Sequence, residues 1–139
     1  MIRIEELSEF QPGTEQLLFP YAAEEFLLAG ELQKKILAAS EMARVIYHGD
    51  ELLCYAGIVR SSFLDAPILW VLLGRNVHRW SARTFKKLTE MLRTLFPRTQ
   101  TVVEVTYNAG VKFAVFCGFR PLGLFVEIDG RRFEYYEVK

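Results

Sequence analysis

The chain carries only two cysteines and two histidines among its 139 residues. Cys54 and Cys117 each sit in apolar text (LLCYAG, AVFCGF), which reads as buried free thiols in a reducing compartment. With His48 and His78 they form no metal-ligand spacing, so no structural zinc site is expected. Long hydrophobic runs are also missing. The longest purely apolar stretch, Ile68 to Leu73, falls far short of the ~18–20 residues of a membrane helix. The acidic first thirty residues lack the basic and hydrophobic regions of a signal peptide. There is no surplus of either charge, 17 bases against 17 acids, which disfavours a nucleic-acid partner. Neither a Gly-x-Ser-x-Gly elbow nor a Gly-x-x-x-x-Gly-Lys loop occurs. No internal repeat or low-complexity linker breaks the text. The expectation is one cytoplasmic domain over residues 1–139, with no membrane partner and no metal.

What is present suits a packed globule. Hydrophobic residues make up 51% of the chain, and eleven Phe lead its aromatics. A chain of this length buries roughly 68–70% of its extended surface on folding. The balanced charge is unevenly placed. Residues 1–31 hold seven acids (Glu5, Glu6, Glu9, Glu15, Glu24, Glu25, Glu31) against Arg3 alone. Residues 75–98 hold seven bases (Arg75, Arg79, Arg83, Lys86, Lys87, Arg93, Arg98) against Glu90 alone. A neutral total thus hides an acidic pole and a basic one.

Periodicity supplies the elements. Met1 to Leu7 alternates and predicts a first strand, broken by Pro12-Gly13. From Thr14 the spacing turns helical, with Leu17, Leu18, Tyr21, Ala22, Phe26 and Leu28 inward and Pro20 in a first turn or at a kink. Gly30 punctuates that run before a second short helix, Glu31 to Ala39. Ala43–His48 and Glu51–Val59 predict a hairpin across Gly49-Asp50. Pro67–Leu73 predicts a strand covered on both faces. After a loop, Arg75–Trp80, Ser81 is a plausible N-cap for a helix to Phe96, with Phe85, Leu88, Leu92 and Leu95 on one stripe. Pro97 stops it. Thr101–Thr106 reads as a strand, and a short helix from about Asn108 places Val111, Val115 and Phe116 on one side before Gly118. Leu122–Ile128 and Arg131–Val138 flank Asp129-Gly130, the strongest hairpin signal present.

The order β-α-α-β-β-β-α-β-α-β-β predicts an α/β fold, a mixed sheet with helices on both faces. This order and length, with the segment VEVTYNAGVKFAVFCGFRPLG from Val103 to Gly123, resemble the GNAT (Gcn5-related N-acetyltransferase) superfamily. In that family a strand leads to an Asn, a short helix follows, and Gly-Phe turns the chain into the next strand. The small size is most similar to GNAT-like proteins encoded by bacteriophages, some associated with virions and some acting on host enzymes.

The resemblance implies transfer of an acyl group from acetyl-CoA, or another acyl-CoA, to an amine on a small molecule or a protein, a host protein among them. It implies pantetheine between Ile68–Gly74 and Thr101–Thr106, with Leu72, Leu73 and Gly74 on the strand side. It also implies pyrophosphate on the loop and helix start that follow, where N–H groups lack intrahelical partners. The family's loop reads Gln/Arg-x-x-Gly-x-Gly/Ala. Aligned on Arg79, this chain reads Arg79-Trp80-Ser81-Ala82-Arg83-Thr84, so Ala82 and Thr84 replace glycines. Arg75, Arg79 and Arg83 can hold phosphates instead, with Ser81 and Ala82 in the loop, or they form a solvated basic face with Lys86, Lys87 and Arg93. His78 beside them adds a donor or faces solvent, as His48 does at its turn. Trp80 packs under the helix, stacks on adenine, or anchors a partner.

The family's usual acid, a Tyr four residues before the Gly of Gly-Phe, is Ala114 here. Tyr107 is the candidate acid in its place, or a packing residue. Glu104 is the candidate base through water, or an ordinary strand carboxylate. Asn108 bonds the pantetheine or caps the helix. Two functional readings follow: an acyl-CoA-dependent N-acyltransferase, with room for a homodimer, or a catalytically silent relative serving as an interaction or virion-associated protein.

Overall fold

The structure, a computed structural model, describes residues 2–18, 37–60, 67–128 and 130–138. Seven strands follow one another in the sheet order β1-β2-β3-β4-β5-β7-β6. They are β1 (Ile2–Glu6), β2 (Ser40–His48), β3 (Glu51–Arg60), β4 (Pro67–Leu73), β5 (Gln100–Glu104), β6 (Phe119–Ile128) and β7 (Arg131–Val138). Two α-helices are described in full, α1 (Ala82–Leu95) and α2 (Asn108–Phe116), with a helical turn at 37–39 and short 3-10 turns at Thr14–Leu17 and Val77–Arg79. The architecture is a mixed α/β fold, as the sequence pattern predicts. By contact the chain divides into two compact units: Met1–Arg60 with Trp70–Ser81, and Ser61–Leu69 with Ala82–Lys139.

In the first unit β2 pairs antiparallel with both β1 and β3, the predicted hairpin turning at Gly49 with φ +62. Gly49 occupies the left-handed region that a side chain resists. β3 is buried from Leu52 to Gly57 because both of its faces are covered. Leu18, Val45, Leu52 and Tyr55 form a cluster, with Phe10 and Trp70 packed on it. Phe10 meets Tyr55 edge-on at 5.3 Å between ring centroids. Gly57 is needed for this packing, since a Cβ there would stand 2.5 Å from the Trp70 ring and 2.7 Å from the Met42 carbonyl oxygen.

The helix predicted from Thr14 is corrected by the structure. Only a single 3-10 turn forms, and Leu18 turns extended to bridge Gly74. Backbone pairing at Leu18 overrides the helical spacing of the side chains. The rest of the predicted helical pair, with Pro20, Gly30 and the acids Glu24, Glu25 and Glu31, lies outside the described residues except for its last turn, 37–39, which is helical and runs directly into β2 at Ser40.

In the second unit β5 pairs parallel with β4 through Ile68/Gln100 and Leu69/Thr101, and antiparallel with β7, which pairs with β6. On α1 Leu88, Thr89 and Leu92 are buried while Lys86, Glu90 and Arg93 are exposed, the division predicted from the 3.6 period. On α2 the prediction picked the wrong face. Phe113 and Ala114 are buried, whereas Val115 and Phe116 are 52% and 64% exposed. Gly110, Phe113, Ala114 and Cys117 form an i, i+3, i+4, i+7 stripe, while the exposed Asn108 and Lys112 share the other face with Val115 and Phe116. Gly118, at φ +87, ends the helix by donating its N–H to the Val115 carbonyl at 3.0 Å. Gly130 marks the β6–β7 turn at φ +76; Asp129 lies outside the described residues. No helix among the described residues is long and apolar enough to cross a membrane.

Both cysteines are buried and neither forms a disulfide among the described residues. Burial pushes the Cys117 thiol up to about 12, against a smaller opposing effect of Arg93. A thiol reagent at pH 7–8 should therefore leave the native protein unlabelled and modify both cysteines only after denaturation. Fast labelling of the folded chain would contradict the buried placement.

Candidate functional site

The strand-and-loop candidates belong to the first unit. Leu73 is buried, Leu72 is half-buried, and Gly74 is held at backbone level. Its N–H donates to the Leu53 carbonyl at 2.7 Å, and a Cβ there would run into the Leu52 carbonyl oxygen. Glycine stands at 74 because strand β3 leaves no space for anything larger. The chain then coils on itself. Arg75 N–H donates to Leu17 O at 2.9 Å, Val77 N–H to Gly74 O, Arg79 N–H to Asn76 O and Trp80 N–H to Val77 O. What the sequence suggests is a plain loop is thus a 3-10 turn seated by the buried Val77. Its backbone donors serve the fold. Trp80 sends its indole N–H to Glu51 Oε1 at 3.4 Å, which ties it to the start of β3. Arg75 and Arg79 are exposed, Arg75 reaching the Gln16 carbonyl at 3.5 Å. Ser81, also exposed, immediately precedes α1, the N-cap position predicted for it.

In the second unit Ala82 and Arg83 open α1, both exposed, with Thr84 half-buried. The first N–H groups of a helix have no partner within it and carry a partial positive charge. No acid lies in this first turn. Among the described residues Arg3, Arg44, Arg60, Arg120 and Arg131 each have a carboxylate within ion-pair distance. Arg79, Arg83, Lys86 and Lys87 have none. Cations left unpaired at a helix start repel the dipole there, an arrangement that an anion would relieve.

Glu104, Tyr107 and Asn108 meet at the junction of β5 and α2. Glu104 ends its strand 9% exposed, and both its oxygens accept from Arg131 of β7, from Nε at 2.9 Å and from Nη2 at 2.6 Å. Sequence reasoning missed Arg131. The signal was the alternation of β7, which sets Arg131 and Phe133 on one face, with Phe133 opposite Glu104. Glu104→Gln should lose about 2 kcal/mol of stability, because it leaves a partly buried guanidinium without its counter-charge. Urea denaturation measures this, and an unchanged midpoint would mean that the pair contributes nothing net.

The N–H of Tyr107 donates to Glu104 O at 3.0 Å, and Tyr107 itself is the N-cap residue of α2. This corrects the reading of Asn108 as the cap: Asn108 is the first helical residue, and its side chain is exposed. The Tyr107 ring lies against Gly110, where a Cβ would stand 2.5 Å from it. Gly110 was also missed; it is what lets a ring fold over the first turn of the helix. Burial pushes the phenol up to about 12, so Tyr107 stays a neutral O–H donor throughout the physiological range. Ala114, where a tyrosine would otherwise stand, is buried and brings no polar atom. The His78 side chain lies outside what the structure describes, and no cluster of His, Cys, Asp and Glu among the described residues could hold a metal.

No family model matches the chain, and no curated protein matches it in sequence. Solved structures do match. A Bacillus subtilis acetyltransferase in complex with CoA superposes over 100% of this chain and 99% of its own, with a TM-score of 0.67 at 12% identity. A GNAT-family acetyltransferase from Bacillus cereus gives 0.65 at 14% identity, over 100% and 97% of the two chains. An N-acetyltransferase from Campylobacter jejuni in complex with acetyl coenzyme A gives 0.55 at 11% identity, over 100% and 99%. The fold is that of the GNAT acetyltransferases over the whole chain.

Proposed function

We propose that this chain is an acyl-CoA-dependent N-acyltransferase, transferring an acetyl group from acetyl-CoA to an amine carried by a small molecule or a protein. The observation that carries the reading is that Arg79, Arg83, Lys86 and Lys87 have no carboxylate partner among the described residues, in a fold whose known examples include proteins holding CoA. Arg79 and Arg83, with the N–H groups opening α1, hold the CoA phosphates. Guanidinium forks replace the glycine loop, because the N–H groups of Val77, Arg79 and Trp80 are already bonded within the turn and Thr84 blocks close approach. Ser81 and Ala82 complete the phosphate end. Leu72, Leu73 and Gly74 border the pantetheine, and Asn108 offers it an amide.

The reaction needs a neutral amine, whose lone pair attacks the thioester carbonyl; the C–S bond then breaks and the CoA thiolate takes up a proton. Tyr107 supplies that proton as a neutral phenol. Its raised pKa makes it a reluctant acid at pH 7, so its contribution is modest. Glu104, held in place by Arg131, is the base that takes the ammonium proton through a water. In a phage-encoded protein of this kind, the acetyl-CoA and the acceptor are those of the host.

A second reading has specific support. The buried Ala114, the internally bonded turn at 75–80 and the engaged Glu104 all suit a relative that has kept the fold and lost the chemistry. Release of CoA thiol from acetyl-CoA in the presence of assorted primary amines separates the two. The enzyme reading expects amine-dependent release, reduced about 10- to 100-fold in kcat by Tyr107→Phe with KM little changed. Undiminished kcat would remove Tyr107 from the mechanism, and no release with any amine would favour the silent relative.

A further inference from the structure

About 20 Å along α1 from Ala82, at the far end of the helix, lies a cavity of about 480 Å³. That volume is in the range of small-molecule sites. Its floor is apolar and buried, made by Leu69, Leu92, Phe96 and Phe119. The Cys117 thiol is part of this lining and, held neutral by burial, adds to its apolar character. The rim carries Arg93, Arg98 and one acid, Glu90.

Both arginines are set in unusual ways. Arg98 is the only non-glycine residue with positive φ, +57, among those described. Such a conformation strains any residue with a Cβ and persists only where the surroundings enforce it. The turn is pinned on either side by buried residues: Phe96 N–H donates to Leu92 O at 2.9 Å, and Thr99 Oγ1 donates to Phe96 O at 3.2 Å. Arg93 lays its guanidinium over Gly118, about 3.5 Å from where a Cβ would project. Neither arginine has a carboxylate within ion-pair distance among the described residues, and Glu90 on the same rim pairs with neither. A strained position at a helix end ordinarily takes glycine or asparagine. An arginine there, beside a second unpaired arginine and above an apolar floor, makes an amphipathic anion site.

We propose that this cavity binds a small organic monocarboxylate with an aliphatic or aromatic body, its carboxylate held by Arg93 and Arg98 and its apolar part on Leu92, Phe96 and Phe119. Glu90 selects against a second negative charge, which disfavours inorganic phosphate. The inference does not depend on acyl-CoA binding.

Calorimetric titration of the full chain with benzoate and 4-methylpentanoate tests it, with benzyl alcohol and inorganic phosphate as controls. The expected result is saturable binding of the carboxylates with Kd below about 1 mM, and binding at least about tenfold weaker for both controls. Arg98→Gly should weaken benzoate binding about tenfold or more while leaving the melting temperature unchanged or raised, since glycine adopts φ +57 without strain. Arg93→Ala should weaken it likewise, and Arg79→Ala should leave it unchanged. Failure of both carboxylates to bind, equal binding of the alcohol or phosphate, or full affinity in Arg98→Gly would each overturn the proposal. So would loss of benzoate binding in Arg79→Ala, which would put the ligand at the other end of α1.

Discussion

Gly74→Ala should lower stability by about 3 kcal/mol and the melting temperature by roughly 10 °C, at the upper end of what overpacking costs. The added methyl would be driven into the Leu52 carbonyl oxygen, with the Leu53 oxygen at 3.1 Å and the Leu52 carbonyl carbon at 3.2 Å. These are backbone atoms of β3, so no side chain can rotate away to make room. Nor can residue 74 withdraw. Its N–H bond to Leu53 and its bridge to Leu18 would both be lost, and with them the connection that ends β4. Gly123 makes a useful contrast, having open space around it and φ +72. There Ala should cost only about 1–2 kcal/mol, from the backbone alone. Thermal melts of the two variants compare the effects directly. Equal losses would show that the contact at Leu52 contributes nothing.

The second large effect concerns binding. Replacing Arg79 and Arg83 together by Ala should raise the Kd for acetyl-CoA about 100-fold, since charge-assisted bonds to phosphate contribute about 1.5–3 kcal/mol each. The folded state should hardly register the change. Both side chains are exposed and neither has an acidic partner among the described residues, so stability should stay within about 0.5 kcal/mol. Loss of affinity without loss of stability distinguishes a phosphate-binding role from a solvated basic face. Affinity should also fall as salt is added, because the contacts are at the surface. Wild-type affinity in the double variant would mean that the phosphates lie elsewhere.

Much of the fold was legible because period and punctuation agree. Pro67–Leu73 read directly as an unbroken apolar run, and Arg131–Val138 and the α1 stripe through Leu88 and Leu92 because their polar and apolar positions contrast sharply. The start of the chain misled where Leu18 trades a helical partner for a backbone bridge with Gly74, a tertiary contact that no local spacing reveals. α2 misled because FAVF taken alone is apolar on every side; the signal lay in Asn108 and Lys112, which share a helical face with Val115 and Phe116 and mark it as the solvent side. The candidate residues were found singly, but their partners were not. Arg131 lies 27 residues beyond Glu104, and Glu51 precedes Trp80 by 29. Pairing of β5 with β7 brings the first pair together, and the 3-10 turn after β4 the second. The basic segment, by contrast, was visible as a local imbalance of charge, and among the described residues Arg79, Arg83, Lys86 and Lys87 have no acidic partner.

The central claim, that those cations and the start of α1 serve an acyl-CoA, is tested most directly by titrating the full chain with acetyl-CoA in a calorimeter. The account predicts saturable one-to-one binding, weakened by salt, and a stability gain of about 2.7 kcal/mol once the ligand exceeds its Kd a hundredfold. Absence of heat and of any melting shift with acetyl-CoA and with free CoA would contradict it.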